Sequence, residues 1–205
     1  MRFLDFRAKF KPFGVFSTID IEKWDSHFDT RRLVEWQDKN LLQKVINRWY
    51  VFADTKPEEH FLYLIANRIY SPSYISFETA MAYYRLIPEG VYSIISATSL
   101  KPHTFQTKLG TFNFRHMKPE LLFGYKLIEK KGRLIKIAEP EKMLLDYFYL
   151  NTRIKNQSDF ESLRINITLL TEQINVNRLI EYLHQFKNTG LANRIDTFLK
   201  STVHA

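Results

Sequence analysis

The chain has 205 residues, of which 45% are hydrophobic and 15% aromatic, so it can bury a proper core and is not a disordered polymer. It contains no cysteine, which excludes a disulfide scaffold, a thiolate metal site and a cysteine nucleophile together. The formal net charge of +8 points to an acidic partner, and nucleic acid is the commonest of these.

Residues 1–13 read as a short amphipathic helix with Phe3, Phe6 and Phe10 on one side, broken at Gly14. Ser17 is placed to cap the next helix, Asp20 completes a capping box, and Phe16 and Ile21 occupy the two staple positions. That helix runs to about Ser26. Asp29 caps another, which runs to about Asn40 and turns Leu33 and Trp36 to the core. Leu42–Ile46 and Trp49–Ala53 are β-rich runs about Asn47-Arg48, a hairpin in which Asn47 takes the positive φ. Helix, helix–turn–helix, hairpin is the order of a winged helix. Pro57 then opens a connecting helix to about Tyr70, with Phe61, Leu62, Ile65 and Ile69 at helical spacing.

The second half starts near Ser71-Pro72. Ser76 caps a helix over residues 77–86, which Pro88-Glu89-Gly90 ends. Strands are expected over 91–98, 103–105 and 111–117, and a hairpin over 125–129 and 134–137 turns at Lys130–Gly132. Pro140 opens a helix to about Leu150. From Asp159 the chain is helical, with Leu179, Ile180, Leu183 and Phe186 on one face. The expected fold class is α+β: an N-terminal winged helix-turn-helix over 1–56, a connecting helix over 57–70, and a mixed α/β domain with a helical C-terminus over 71–205.

Two stretches concentrate the positive charge. Residues 1–52 hold ten Lys/Arg against seven Asp/Glu, and residues 101–136 hold nine against two. In the first, Arg31 lies opposite the Leu33/Trp36 face at 100° per residue, where an arginine reaches base edges in a major groove. Arg32 and Lys39 share a flank suited to phosphates, and Lys44 and Arg48 on the hairpin suit the backbone or the minor groove. Glu35 and Asp38 oppose this reading, and Glu35 stands at the i+4 position for an ion pair with Arg31. In the second, Lys101, Lys108, Arg115, Lys118, Lys126, Lys130, Lys131, Arg133 and Lys136 form either a polyanion surface or a solvated β-surface.

Enzyme signals are thin. Glu139, Glu141, Lys142 and Asp146 gather acids and a lysine, as a metal-dependent nuclease would. The plainer reading is first-turn acids complementing the helix dipole and an ordinary i,i+4 pair between Lys142 and Asp146. The six histidines (His27, His60, His103, His116, His184 and His204) have no metal-ligand spacing, and no phosphate-cradling loop or nucleophile elbow is present. No cofactor is expected. No signal peptide is recognised, and no apolar run reaches the roughly 18 residues of a membrane span, so a cytoplasmic protein without a membrane partner is expected.

Tyr74–Glu89 reads YISFETAMAYYRLIPE, and Phe123–Leu150 reads FGYKLIEKKGRLIKIAEPEKMLLDYFYL. Together they resemble the AbiEi antitoxin family of abortive-infection type IV toxin–antitoxin systems. Ser76, Glu78, Ala80, Leu86, Ile87, Pro88 and Glu89 match the first family string. Ile137, Ala138, Pro140, Glu141, Lys142, Leu144, Leu145 and Asp146 match the second. With the segment ahead of them, the resemblance covers about residues 15–150. Arg85 stands where the family often has glycine, and Asn47-Arg48-Trp49 where Arg-Gly is common. The resemblance implies a transcriptional regulator whose winged helix binds its own promoter DNA. Its C-terminal domain would antagonise a nucleotidyltransferase-type toxin; the toxin, not this chain, is then the enzyme. The alternative is a non-catalytic protein-interaction module with a degenerate winged helix.

Overall fold

The computed structural model describes residues 2–88, 90 and 92–202. The chain is α+β. It opens with helix α1 (Phe3–Phe10), which buries Phe6 and Phe10. A 3-10 turn (Lys11–Phe13) follows and closes on Gly14, at φ 73. Then come β1 (Val15–Ser17), α2 (Thr18–Trp24), α3 (Arg31–Asp38), β2 (Leu42–Ile46) and β3 (Trp49–Phe52). The capping box is formed: Ser17 Oγ accepts from Asp20 N, and the Asp20 carboxylate accepts from Ser17 N. Phe16 and Ile21, the two staple residues, are buried in one cluster.

β1 was not expected. It adds to β3 and makes a three-stranded antiparallel sheet in the order β1-β3-β2. Val15 pairs with Val51, and Phe16 with Tyr50. Because side chains alternate along a strand, this sheet serves two cores. Phe16, Tyr50 and Phe52 face an aromatic cluster in which the Phe6 ring meets those of Phe10, Phe16, Phe28, Trp36 and Phe52 at 4.6–6.2 Å. Val15, Val45 and Val51 join the other core, with the next helix. In the β2–β3 turn the positive φ falls on Arg48 (67°), not on Asn47.

Beyond it lie α4 (Glu59–Ile69), β4 (Ser73–Ile75), α5 (Phe77–Tyr83), β5 (Ser93–Thr98), β6 (His103–Thr107) and β7 (Gly110–His116). They are followed by β8 (Tyr125–Lys130), β9 (Arg133–Ala138), α6 (Pro140–Leu150), α7 (Gln157–Ser162), α8 (Ile167–Gln173), α9 (Val176–Phe186) and α10 (Thr189–Thr202). The strands form one six-stranded mixed sheet, β6-β7-β5-β4-β9-β8. Pairs β5–β7 and β4–β9 are parallel. The unforeseen strand β4 is central, with all three residues buried. The stop at Pro88-Glu89-Gly90 and the strand start at residue 91 rest partly on Glu89 and Val91, which, like Met1 and His204, lie outside the described residues.

α5 ends before the expected Leu86. Leu86 N donates to Met81 O (2.8 Å) and Arg85 N to Ala82 O (2.9 Å), the double closure of a Schellman motif. The residue that must turn left-handed there is Arg85, at φ 59. Ser76 does not cap α5 with its side chain; its hydroxyl is engaged elsewhere, as described below. At the C-terminus asparagines start the helices, with Asn156, Asn166 and Asn175 each accepting from a backbone N–H three residues on. Leu179 and Phe186 of α9 are buried, but Ile180 is exposed.

The larger core runs from Val15 to Phe198 and includes α4, so the boundary expected near residue 57 is bridged by packing. It is also bridged by polar contacts. Arg133 on β9 donates to Pro12 O (3.0 Å) and Lys11 O (2.9 Å) and lies over the Phe61 ring at 5.8 Å. Beside it Lys131 Nζ bonds Glu58 at 2.6 Å.

Candidate nucleic-acid interface

Leu33 and Trp36 hold α3 against the aromatic cluster, and this turns Arg31, Val34, Glu35, Asp38 and Lys39 to solvent. Arg31 is 90% exposed at its side chain, as its position opposite the core face requires. Its expected pairing with Glu35 is not formed. Arg31 folds back on Asp29 instead: Nε to Oδ1 and Nη2 to Oδ2 are both 2.9 Å. Glu35 is taken by Lys39 at 2.6 Å. These contacts hold the carboxyls of both Asp29 and Glu35 below the usual range. Asp29 also accepts from Arg31 N, so it acts at the helix start as its type predicts, although the helix begins at Arg31. Arg32, the second residue of α3, is half-buried.

The hairpin carries the other two candidates. Lys44 and Arg48 are exposed. Arg48 sits at the turn, its carbonyl accepting from Thr18 N at 2.9 Å. It lines a cleft of about 460 Å³ with Thr18, Ile19, Glu22, Asp25 and Thr30. The first basic group thus gathers on α3 and the adjoining hairpin. Acids stand among its cations: Asp29 and Glu35 are paired, and Asp38 lies two helical turns from Arg31 on the same side.

The second basic group divides. Lys108 sits in the β6–β7 turn and Arg115 on β7, towards one edge of the sheet; Lys126, Lys130, Lys131, Arg133 and Lys136 belong to the β8–β9 hairpin at the other. Three strand spacings separate β7 from β9, about 14 Å at the usual interval. Arg115 is held by Glu78 (2.9 Å) over the Phe77 ring. Lys126 stands over Tyr84 and Lys136 over Tyr125. Lys101, Lys118 and Lys130 are exposed. Arg133 is mainly an internal tie, a role no local sequence signal announced.

Glu139, Glu141, Lys142 and Asp146 form no surface site. The i,i+4 pair between Lys142 and Asp146 is formed, and both residues are wholly buried. Lys142 Nζ donates to Asp146 Oδ1 and to Tyr74 OH (2.8 Å). Asp146 Oδ2 accepts from Tyr74 OH and Ser76 Oγ, each at 2.8 Å. Rings of Tyr74, Phe123 and Phe186 surround the ammonium at 5.0–5.3 Å. Burial pushes the Lys142 pKa down and the Asp146 pKa up, and the pairing opposes both. Glu141, also buried, accepts from Asn175 N at 2.7 Å, and Glu139 from Tyr182 OH. Glu139 and Glu141 therefore tie the start of α6 to α9. Ser76 and the Lys142/Asp146 pair come from the two separate stretches quoted above, and here they are one hydrogen-bonded unit.

Among the described residues no three of His, Asp and Glu gather as a metal site would require, and no helix is long and apolar enough to cross a membrane. Comparison with protein-family models and with curated proteins gives no match.

Proposed function

We propose that this chain is an antitoxin of the AbiEi kind: a transcriptional regulator that binds its own promoter through a winged helix over 1–56 and antagonises a nucleotidyltransferase-type toxin through the remainder. The observation that carries the DNA-binding part is the arrangement α1-β1-α2-α3-β2-β3 with sheet order β1-β3-β2. It presents α3 and a basic hairpin tip to solvent, side by side, as a recognition helix and wing are presented to DNA. The net charge of +8 favours the same partner. Exposed ion pairs such as Arg31–Asp29 are weak in water, so a phosphate or a guanine edge competes with Asp29 for the guanidinium. Support for the antitoxin part is the pair of resembling stretches, whose polar residues meet in the Lys142 cluster.

The test is a gel shift at physiological salt with the chain's own upstream DNA against random DNA of equal length. Specific binding is expected, and equal binding to both would refute it. Growth rescue on co-expression with the toxin tests the second part.

One observation favours the alternative, a protein-interaction module built on the same fold. The cations of α3 are matched by Asp29, Glu35 and Asp38, and Val34 is 58% exposed between them. If neither promoter nor random DNA binds, this reading takes over.

A further inference from the structure

β8 is an outer strand of the six-stranded sheet, and its one partner among the described strands is β9. The hairpin closes with Lys130 opposite Arg133 across the two-residue turn Lys131-Gly132. In such a hairpin the closing residues bond each other, and bonded and non-bonded pairs then alternate. Lys126, Ile128 and Lys130 therefore spend their backbone groups on β9. Those of Tyr125, Leu127 and Glu129 point outward. The same alternation sends the backbone of Lys136 inward, where its N–H donates to Asn67 Oδ1 at 2.6 Å.

One face beside this free edge carries three exposed apolar side chains, with Glu129 and Lys136 among them. Tyr125, Leu127 and Leu134 share it, by the pairing of Leu127 with Lys136 and of Glu129 with Leu134. They are 37%, 56% and 57% exposed. Around them the hairpin carries Lys126, Lys130 and Lys136 against the single acid Glu129, while Lys131 is paired with Glu58 and Arg133 is tied to Lys11 and Pro12. Lysines alone are a common guard on an edge strand, but a guarded edge has no need of two exposed leucines.

We propose that the outer edge of β8 docks an acidic, extended protein segment, which adds to the sheet as a further strand. Main-chain hydrogen bonds to Tyr125, Leu127 and Glu129 supply the attachment. Apolar residues of the segment cover Leu127 and Leu134, and its carboxylates meet the lysines. A second copy of this chain is disfavoured, because two such hairpins bring like charges together. Nucleic acid satisfies the lysines but leaves the leucines and the strand edge uncovered. The inference is independent of promoter binding by the first half.

The experiment uses the full chain, isotope-labelled, with three capped hexapeptides: alternating valine and glutamate, alternating valine and lysine, and the first with a central proline. Random duplex DNA is a fourth probe. Saturating acidic peptide is expected to slow amide exchange at Leu127 and Glu129 by about tenfold or more, and the lysine and proline peptides to leave it unchanged. Leu127→Asp with Leu134→Asp, both at exposed positions, is expected to weaken acidic-peptide binding about tenfold. Lys126→Glu with Lys130→Glu should transfer preference to the lysine peptide. The proposal is overturned by equal binding of the proline peptide, by no saturable binding, or by protection confined to other strands. Perturbation of β8 by DNA alone would make it a nucleic-acid surface, and protection of β8 in a peptide-free dimer would make it a self-association edge.

Discussion

The Arg133 guanidinium occupies the space that a side chain on Gly14 would need: a Cβ built there would lie 2.8 Å from Arg133 Cζ. Gly14 has φ 73, a conformation that L-residues with a Cβ resist. The glycine and the arginine are 119 positions apart in the chain, and together they set how the first three-stranded unit meets β9.

This contact is testable as a cycle. Gly14→Ala is expected to destabilise by about 2 kcal/mol, from backbone strain and displacement of the guanidinium. Arg133→Ala should cost about 1–3 kcal/mol through two lost carbonyl contacts and the Phe61 ring. In the double variant the steric part vanishes, so the two losses should fall short of additivity by about 0.5–1 kcal/mol. Urea unfolding of the four proteins measures it, and strict additivity would mean that the two residues do not interact.

Lys142→Met should be far more damaging than the loss of a surface pair, at about 3–5 kcal/mol, because it strands Asp146 in the core. Adding Asp146→Asn should recover part of that, since the amide still accepts from Ser76 and Tyr74. The pH dependence has a defined sign. Burial raises the Asp146 pKa, so the folded state of Lys142→Met prefers the protonated acid. Its deficit should be full above that raised value and shrink as pH falls from there towards the ordinary carboxylate range. A deficit that stays constant over that whole descent, or grows, contradicts the account.

The Asp29 carboxyl should titrate below the ordinary range by NMR, and Arg31→Ala should return it. If α3 reads DNA, Asp29→Asn should strengthen promoter binding and steepen the salt dependence by about one contact. Arg31→Ala should then erode discrimination at one base position by about 1–3 kcal/mol. Arg32→Ala should mainly lower affinity for all sequences. Asp29 is thus the control residue for Arg31, a place the sequence assigns to Glu35. Unchanged binding in all three folded variants would remove α3 from the interface.

Arg85→Gly should stabilise the protein. Its φ of 59° closes α5 where glycine fits without a Cβ penalty. A gain of about 0.5–1 kcal/mol, a rise in Tm of about 1–4 °C, is expected in thermal unfolding. A lower Tm would show that the Arg85 side chain makes compensating contacts.

Most of the helices and the β2–β3 and β8–β9 hairpins are legible from the sequence because their signals are local. Ser17 and Asp20 meet three residues apart, Phe16 and Ile21 five, and β2–β3 and β8–β9 are each a pair of β-rich runs about a short turn. The asparagine caps at 156, 166 and 175 are equally local. What the sequence did not yield has a different physical character. β1 and β4 have three residues each, too few for a period, and are strands only because β3, and β5 with β9, bond to them. The candidate cations were legible as residues, but not their partners: Arg31 chose Asp29 over Glu35, and Arg133 chose carbonyls at the far end of the chain. Nor could Lys142 and Asp146 be told from a surface pair, since one helical turn separates them in either case. Their burial was decided by Tyr74, Phe123 and Phe186, brought around them from distant elements. The sequence by itself determines whatever depends on neighbours within a turn or two. Which face is dry, and which charge finds which partner, depends on distances that only the folded chain defines.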